Sequence, residues 1–441
     1  MKRNAFRGGI HPYDGKELSK DKPVRVLLPE GELVFPVSQH IGAPAKPVVK
    51  KGDHVLTGQI LAEAQGVVSA HVISSVSGTV KAVEPRMTMS GSRVLSVVVE
   101  SDGMFETVPG FDEKCDISSL TKEEIREKIR GAGIVGMGGA GFPTHVKLAP
   151  KDDEAIEYVI INGAECEPYL TSDYRMMLEE PQNIIDGLKI ELALFPKAKG
   201  IIAVEDNKRD AAERLAELVQ GESRIQVMLL PTKYPQGAER VLIYAVTGRK
   251  INSSMLPADA GCIVSNVDSA IAVCRAVRDS HPLVRRILTV TGDAIANPQN
   301  FRVRIGTNYR ELIQAAGGFV KDPVKIVSGG PMMGTALLTA DVPVTKTSSA
   351  LTCMTQDWVS RWEASPCIRC GRCVDVCPGH IVPQKLMECA ANHDLEGFEK
   401  LDGMECCECG CCTYVCPAHR PLTQTFKYAR RAVMDARKRK G

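Results

Sequence analysis

Two runs of four cysteines constrain this chain most. Cys367, Cys370, Cys373 and Cys377 stand as C-x-x-C-x-x-C-x-x-x-C ahead of Pro378, and Cys406, Cys409, Cys412 and Cys416 repeat that spacing ahead of Pro417. Thiolates are soft ligands that select zinc or iron–sulfur clusters over hard cations. Zinc takes pairs of C-x-x-C knuckles and has no use for the C-x-x-x-C-P tail, so clusters are expected. Disulfides are the other outlet for sixteen cysteines, but eleven of them crowd into residues 367 to 416 of a 441-residue chain. Its opening stretch, MKRNAFRGGIHPYDGK, lacks the apolar core of a secretory signal, so metal ligation in a reducing cytoplasm is the expectation. Cys407 and Cys411 interrupt the second run without fitting the ligand spacing, either as bystanders or as a shifted register. Cys115, Cys166, Cys262, Cys274, Cys353 and Cys389 are isolated and read as small buried residues, Cys166 excepted because it lies in a second motif.

The length implies several domains. A charged fraction of 24% and a formal charge of +2 describe ordinary globular surfaces and give no reason to expect nucleic acid. No run of about eighteen apolar residues is present, which disfavours a membrane span. Residues 22 to 100 alternate short β segments with turns such as KKGD and EAQG, so a small all-β domain is expected over 1–110. The stretch SLTKEEIREKIRG predicts a helix capped by Ser119 or Thr121, with Ile125 and Ile129 on its buried face. Strand-like and helix-like runs then alternate from 151, which predicts an α/β domain over 119–300. A small α+β subdomain is expected at 301–349 and a helical cysteine domain at 350–441. The last helix, YARRAVMDARKRKG, is basic and amphipathic, with a solvated charged face or one that docks on an acidic partner or a membrane surface.

Between the first helix and the α/β domain lies GAGIVGMGGAGFPTHVKL, with glycines at 131, 133, 136, 138, 139 and 141. Glycines permit positive φ and close backbone approach, and their N–H groups can turn toward phosphate. The loop follows a helix and lacks G-K-[ST], unlike the standard phosphate loops, so linker and cradle are both open on the residues alone.

Resemblance adds specificity. The cysteine runs resemble those of bacterial two-cluster ferredoxins, in which the fourth cysteine of each run serves the other cluster. That resemblance implies one [4Fe–4S] cluster on Cys367, Cys370, Cys373 and Cys416, and another on Cys406, Cys409, Cys412 and Cys377. KKGDHVLTGQIL followed by SSVSGTV resembles biotinyl/lipoyl-type barrel-sandwich domains, without their modified lysine. The glycine loop, INGAECEPYLTSDYR, YPQGAERVLIYAVTG and IVSNVDSAIAV resemble, in the same order, four segments of the NADH- and FMN-binding flavoprotein subunit of respiratory complex I. The implied contacts to FMN or NADH are Gly136, Gly138, Gly139, Gly141 and Lys147 in the loop. Asn162, Glu165, Glu167 and Asn266 would line the flavin, and Glu239 the nicotinamide site. Ala164, Ala238 and Ser265 replace two acids and an asparagine of that pattern.

The whole chain, including FRGGIHPYDGKELS, resembles the C-subunit family of Rnf electron transport complexes. The family implies a multidomain α/β and α+β protein: barrel-sandwich domain, complex-I-flavoprotein-like domain, SLBB-type β-grasp subdomain and two-cluster ferredoxin-like domain. It further implies a peripheral subunit on the cytoplasmic side of a membrane complex, exchanging electrons between NAD(H) and ferredoxin-type carriers while Na⁺ or H⁺ moves. A flavin can take two electrons together and release them singly to clusters, which suits this set of cofactors. The alternatives are a flavin and Fe–S corrinoid reductase, and a ferredoxin-like relay without a working NADH site.

Overall fold

The structure, a computed structural model, describes residues 5–440; Met1–Asn4 and Gly441, the expected outer limits of the first and last domains, lie outside the described residues. The barrel-sandwich domain is two small sheets. One orders Glu32–Pro36, Arg93–Ser101, Gly78–Met87 and His54–Val55, and the other Lys46–Pro47, Ile60–Glu63 and Val72–Ile73. Leu33, Phe35, Leu61, Val97 and Val99 are buried among their neighbours, each worth roughly 1.5–3 kcal/mol of burial.

The α/β domain opens with the helix Lys122–Gly131. Thr121 is its cap, in a reciprocal box with Glu124, and Ile125 and Ile129 face the core. Four parallel strands follow in the order Ile225–Leu230, Lys199–Glu205, Tyr158–Gly163 and Cys262–Asn266. The order reverses beside the strand Tyr158–Gly163, and in open α/β sheets ligands bind outside the carboxyl ends of strands at such a switch point.

The β-grasp sheet departs from the expected boundaries. Its order is Arg25–Leu27, Gln299–Arg304, Arg285–Thr291, Ala350–Met354, Lys325–Ser328 and Thr335–Ala336. The boundary at 300/301 therefore cuts an antiparallel pair, and Ala350–Met354, expected with the cysteine domain, is a central strand of this sheet. A strand from residues 25–27 completes one edge. Each strand is legible locally, but its pairing partner lies tens to hundreds of residues away.

The C-terminal domain is helical. Leu386, Phe398, Leu422, Phe426, Ala429 and Val433 form its core, so the last helix, Leu422–Lys440, packs one apolar stripe inward. Arg430 and Arg437 on that helix pair with Glu408 and Glu399. Residues 5–19 belong to none of these bodies and run between them as a strap. Ile10 pairs with Tyr234 (2.8 and 3.0 Å), Gly9 N donates to Val376 O (2.8 Å), and Lys16 is buried.

Candidate electron-transfer site

The loops leaving the four parallel strands converge with the glycine loop on a cleft of about 2210 Å³. All ten residues expected to hold flavin or nicotinamide line it, from Gly136 to Asn266. Asn162 and Asn266 are register partners on adjacent strands at the switch point. The glycine loop folds back on itself through Gly136 N to Phe142 O (2.8 Å), and Met137 N is held by Ser269 Oγ (2.9 Å). Gly141 has φ 77°, and a Cβ there would meet Thr347 at 2.8 Å. Gly139, which lines the cleft, differs, since a Cβ there would meet no atom within 4 Å. Lys147, half-buried, donates to Val264 O (2.7 Å). Burial lowers its pKa, and Glu239 and Glu191 act in the opposite direction.

Glu165 and Glu167 border the cleft, but their carboxylates are engaged elsewhere. Glu165 accepts from Asp173 N (2.7 Å) and Tyr174 N (3.2 Å) at the start of the helix Ser172–Glu179. Glu167 accepts from Met332 N (2.7 Å) and Met333 N (3.1 Å), tying the acidic loop to the β-grasp domain. The asparagines also organise the backbone: Asn162 donates to Gly237 O (2.9 Å), and Asn266 caps the helix Val267–Arg278. Glu239, the first residue of the helix Glu239–Thr247, forms no side-chain hydrogen bond among the described residues. Its side chain is open to the cleft, yet the protein crowded around it raises its pKa, opposed by Lys147.

Three residues of this site had no role assigned from sequence. Asp173 accepts from Asn266 Nδ2 (2.6 Å), and its carboxyl is pushed up to about 7 by burial and then by Glu165 and Asp268. Lys16 donates to Glu165 O (2.9 Å), Glu167 O (3.1 Å) and Leu170 O (2.5 Å), which explains the lysine of HPYDGKELS as the staple of the acidic loop. Tyr234 Oη donates to Cys409 O (2.7 Å), linking the cleft to the cysteine domain. The residue types were visible, but the partners of Lys16 are about 150 positions away in sequence.

The two cysteine runs adopt the same backbone twice. Arg369 and Glu408 have φ 55° and 58°, Gly371 and Gly410 79° and 84°, and His380 and His419 55° and 51°. In each run a backbone N–H returns to the first sulfur, Arg369 N to Cys367 Sγ and Glu408 N to Cys406 Sγ, both at 3.4 Å. Cys373 neighbours Cys367 and Cys416, while Cys412 neighbours Cys406 and Cys377, a crossed arrangement. Among the described residues no three His, Cys, Asp or Glu side chains converge closely enough for one metal ion. The first set is near the surface, with Cys367 and Cys370 exposed; Cys377, Cys409 and Cys412 of the second are buried. Burial pushes the Cys406 and Cys412 thiols up to about 12, so without a metal they stay protonated.

The second set surrounds a small cavity that backs onto the cleft. Pro378, Gly379, Glu405, Cys407 and Cys409 line both spaces. Glu405 fixes this wall by accepting from Arg240 Nη1 (2.8 Å), Ser253 N (2.8 Å) and Ser253 Oγ (2.5 Å). Cys166 packs beside Tyr234, Cys409 and Cys411, accepts from Gly237 N (3.2 Å), and is pushed up to about 12 by burial. Of the isolated cysteines, Cys262, Cys274 and Cys353 are buried, whereas Cys115 and Cys389 are only half-buried.

Comparison with known proteins matches this layout. Residues 4–104 fit the RnfC barrel sandwich hybrid domain, 129–275 the Nuo51 FMN-binding domain and 287–336 the SLBB domain. The chain is 45% identical over 441 residues to the C component of the Na(+)-translocating ferredoxin:NAD(+) oxidoreductase complex of Acetobacterium woodii, covering 100% of this chain and 99% of that relative. This chain belongs to the RnfC family. An RnfC relative from Clostridium ljungdahlii, named as the C component of a proton-translocating ferredoxin:NAD(+) oxidoreductase complex, is 45% identical over 87% of this chain and 83% of its own length. One from Rhodobacter capsulatus is 39% identical over 99% and 84%. The fold is shared with an NAD+-reducing [NiFe]-hydrogenase structure in the air-oxidized state, with TM-score 0.52 and 18% identity over 73% of this chain and 67% of that one. The RnfC architecture expected from sequence is therefore present, with the β-grasp boundaries corrected as above. No helix among the described residues is long and apolar enough to cross a membrane.

Proposed function

We propose that this chain is the peripheral electron-input and output subunit of an ion-translocating ferredoxin:NAD oxidoreductase complex, with FMN and two [4Fe–4S] clusters as its cofactors and NAD(H) as its substrate. The observation that carries this reading is the shared wall between the glycine-loop cleft and the six-cysteine cavity. Pro378, Gly379, Glu405, Cys407 and Cys409 border both spaces.

The residues present suit these groups. The cleft has more than twice the volume of about 1,000 Å³ at the upper end of single-ligand pockets, as a site for two nucleotides requires. Gly136, Gly138, Gly139 and Gly141 bring bare backbone to the cleft, and Lys147 brings a cation to the same loop. The paired runs offer soft thiols and backbone N–H groups aimed at sulfur, the donor set of Fe–S proteins. When bound, flavin supplies two-to-one electron exchange and the clusters single-electron transport. The chain's own part is to orient and exclude. Lys16 and Glu165 hold the acidic loop, and Asp173 carries a proton near neutral pH beside Asn266. Arg240, Ser253 and Tyr234 clamp the cysteine domain against the cleft. Cytoplasmic-side attachment, ferredoxin-type carriers and neighbouring subunits as partners, and coupling to Na⁺ or H⁺ movement belong to the same reading.

Ala164 and Ala238, in place of acids, favour one second reading, a relay that keeps clusters but not NADH binding. Anaerobic purification with iron and flavin counts, followed by NADH reduction of a viologen dye, separates the two. About eight irons with flavin and dye reduction supports the proposal. The same iron without flavin or NADH-dependent reduction refutes the NADH site.

A further inference from the structure

The second cysteine run carries two thiols that its ligand spacing leaves over, and the fold brings both to the ligands. Cys377, Cys406, Cys407, Cys409, Cys411 and Cys412 all line one small cavity. A cubane takes four thiolates. The internal symmetry of the domain isolates the unusual member. Cys406-Cys407-Glu408-Cys409 superposes in motif on Cys367-Ile368-Arg369-Cys370, with the same left-handed turn at Glu408 and Arg369. Ile368 is 67% exposed and cannot bind iron. Cys407, at the equivalent place, is turned in: it lines the cavity together with Cys377, Cys406 and Cys409 and packs against the cluster that holds Cys409 and Cys411. Cys409 packs with Cys411, Tyr234 and Ile10 on the strap side.

We propose that Cys407 is an alternative ligand of the second cluster, interchangeable with Cys409. The inference rests on the cluster reading above. The exchange is a ligand substitution and not a redox step: Cys407 loses its thiol proton as its sulfur binds iron, and Cys409 leaves the iron as a thiolate and takes up a proton. Cluster charge and electron count are unchanged. Because both residues already line the cavity, the exchange stays within the turn Cys406-Cys407-Glu408-Cys409. Either sulfur lies in the wall shared with the cleft, so the route from the cleft survives the exchange.

The test uses the full chain, purified anaerobically, as wild type, C407S, C409S, C407S/C409S, C370S and I368C/C370S. Iron and sulfide are counted per chain, and low-temperature EPR is recorded after dithionite reduction. Wild type, C407S and C409S should each hold about eight irons, C409S with a shifted EPR signal; C407S/C409S and C370S should fall to about four. I368C/C370S should recover the lost irons, since it recreates the second run's arrangement in the first. That rescue decides the matter even where C409S is insoluble: its failure overturns the proposal. So does a C409S chain that folds yet drops to about four irons like C370S. Wild type with zinc or without iron would instead refute the cluster reading itself.

Discussion

Replacing Lys16 by Met tests how the acidic loop is held. Lys16 is 6% exposed and its ammonium donates to three carbonyls of residues 165–170. The loop it holds contains two non-glycine residues in the left-handed region, Glu165 at φ 45° and Tyr169 at φ 70°. Such conformations cost of order 1–3 kcal/mol each and persist only where surroundings over-determine them. Hydrogen bonds to a charged group contribute roughly 1.5–3 kcal/mol each, so three at the low end sum to about 4.5 kcal/mol. The loop is partly open to water, which restores some of that to freed carbonyls, and about 3 kcal/mol remains. Since the loop borders the cleft, K16M should bind FMN roughly a hundredfold more weakly. Titration of the flavin-free chain with FMN, with thermal unfolding alongside, measures both effects. Unchanged FMN affinity in a variant that unfolds at the wild-type temperature would refute the staple.

Other variants separate packing from chemistry. G139A should leave stability within about 0.5 kcal/mol yet lower flavin affinity, because the residue lines the cleft and its Cβ would meet no atom within 4 Å; G141A, at φ 77° against Thr347, should lower thermal stability as well. Differential scanning fluorimetry with and without FMN distinguishes them. E405A removes the wall contacts to Arg240 and Ser253; that pair is about one-third exposed, so about 1 kcal/mol is expected in unfolding. Rapid mixing with NADH should show normal flavin reduction but slower cluster reduction in E405A, and equal slowing of both would count against a positioning role. For Asp173, a native carboxyl near 7 against 3.8 unfolded means the folded chain keeps a proton that the unfolded chain releases. Its contribution is therefore full below about pH 4 and lost as pH rises through about 7. D173N, which mimics the protonated form, should gain on wild type across that window in thermal melts. Parallel profiles would show that Asp173 does not titrate there.

Much of the architecture was legible because local chemistry is repetitive. Thr121 and Glu124 announce a helix start, KKGD and EAQG mark hairpins, and the two C-x-x-C-x-x-C-x-x-x-C runs specify a duplicated loop-helix whose backbone angles repeat within a few degrees. The β-grasp limits were misplaced because pairing is not local: Arg25–Leu27 and Ala350–Met354 join one sheet from opposite ends of the chain.

The sequence by itself determined the residue types at the site and their order: bare glycines, Lys147, Glu239 and the two cysteine runs, each tied to near neighbours by spacing. Only the tertiary structure decided what those groups face. It showed Glu165 and Glu167 committed to backbone N–H groups, Lys16 buried under a loop about 150 residues away, and Cys407 turned toward the second cavity while Ile368 meets solvent. The reason is physical: spacing sets which side chains share a turn, whereas burial and hydrogen-bond partners are set by whichever distant segment closes over them.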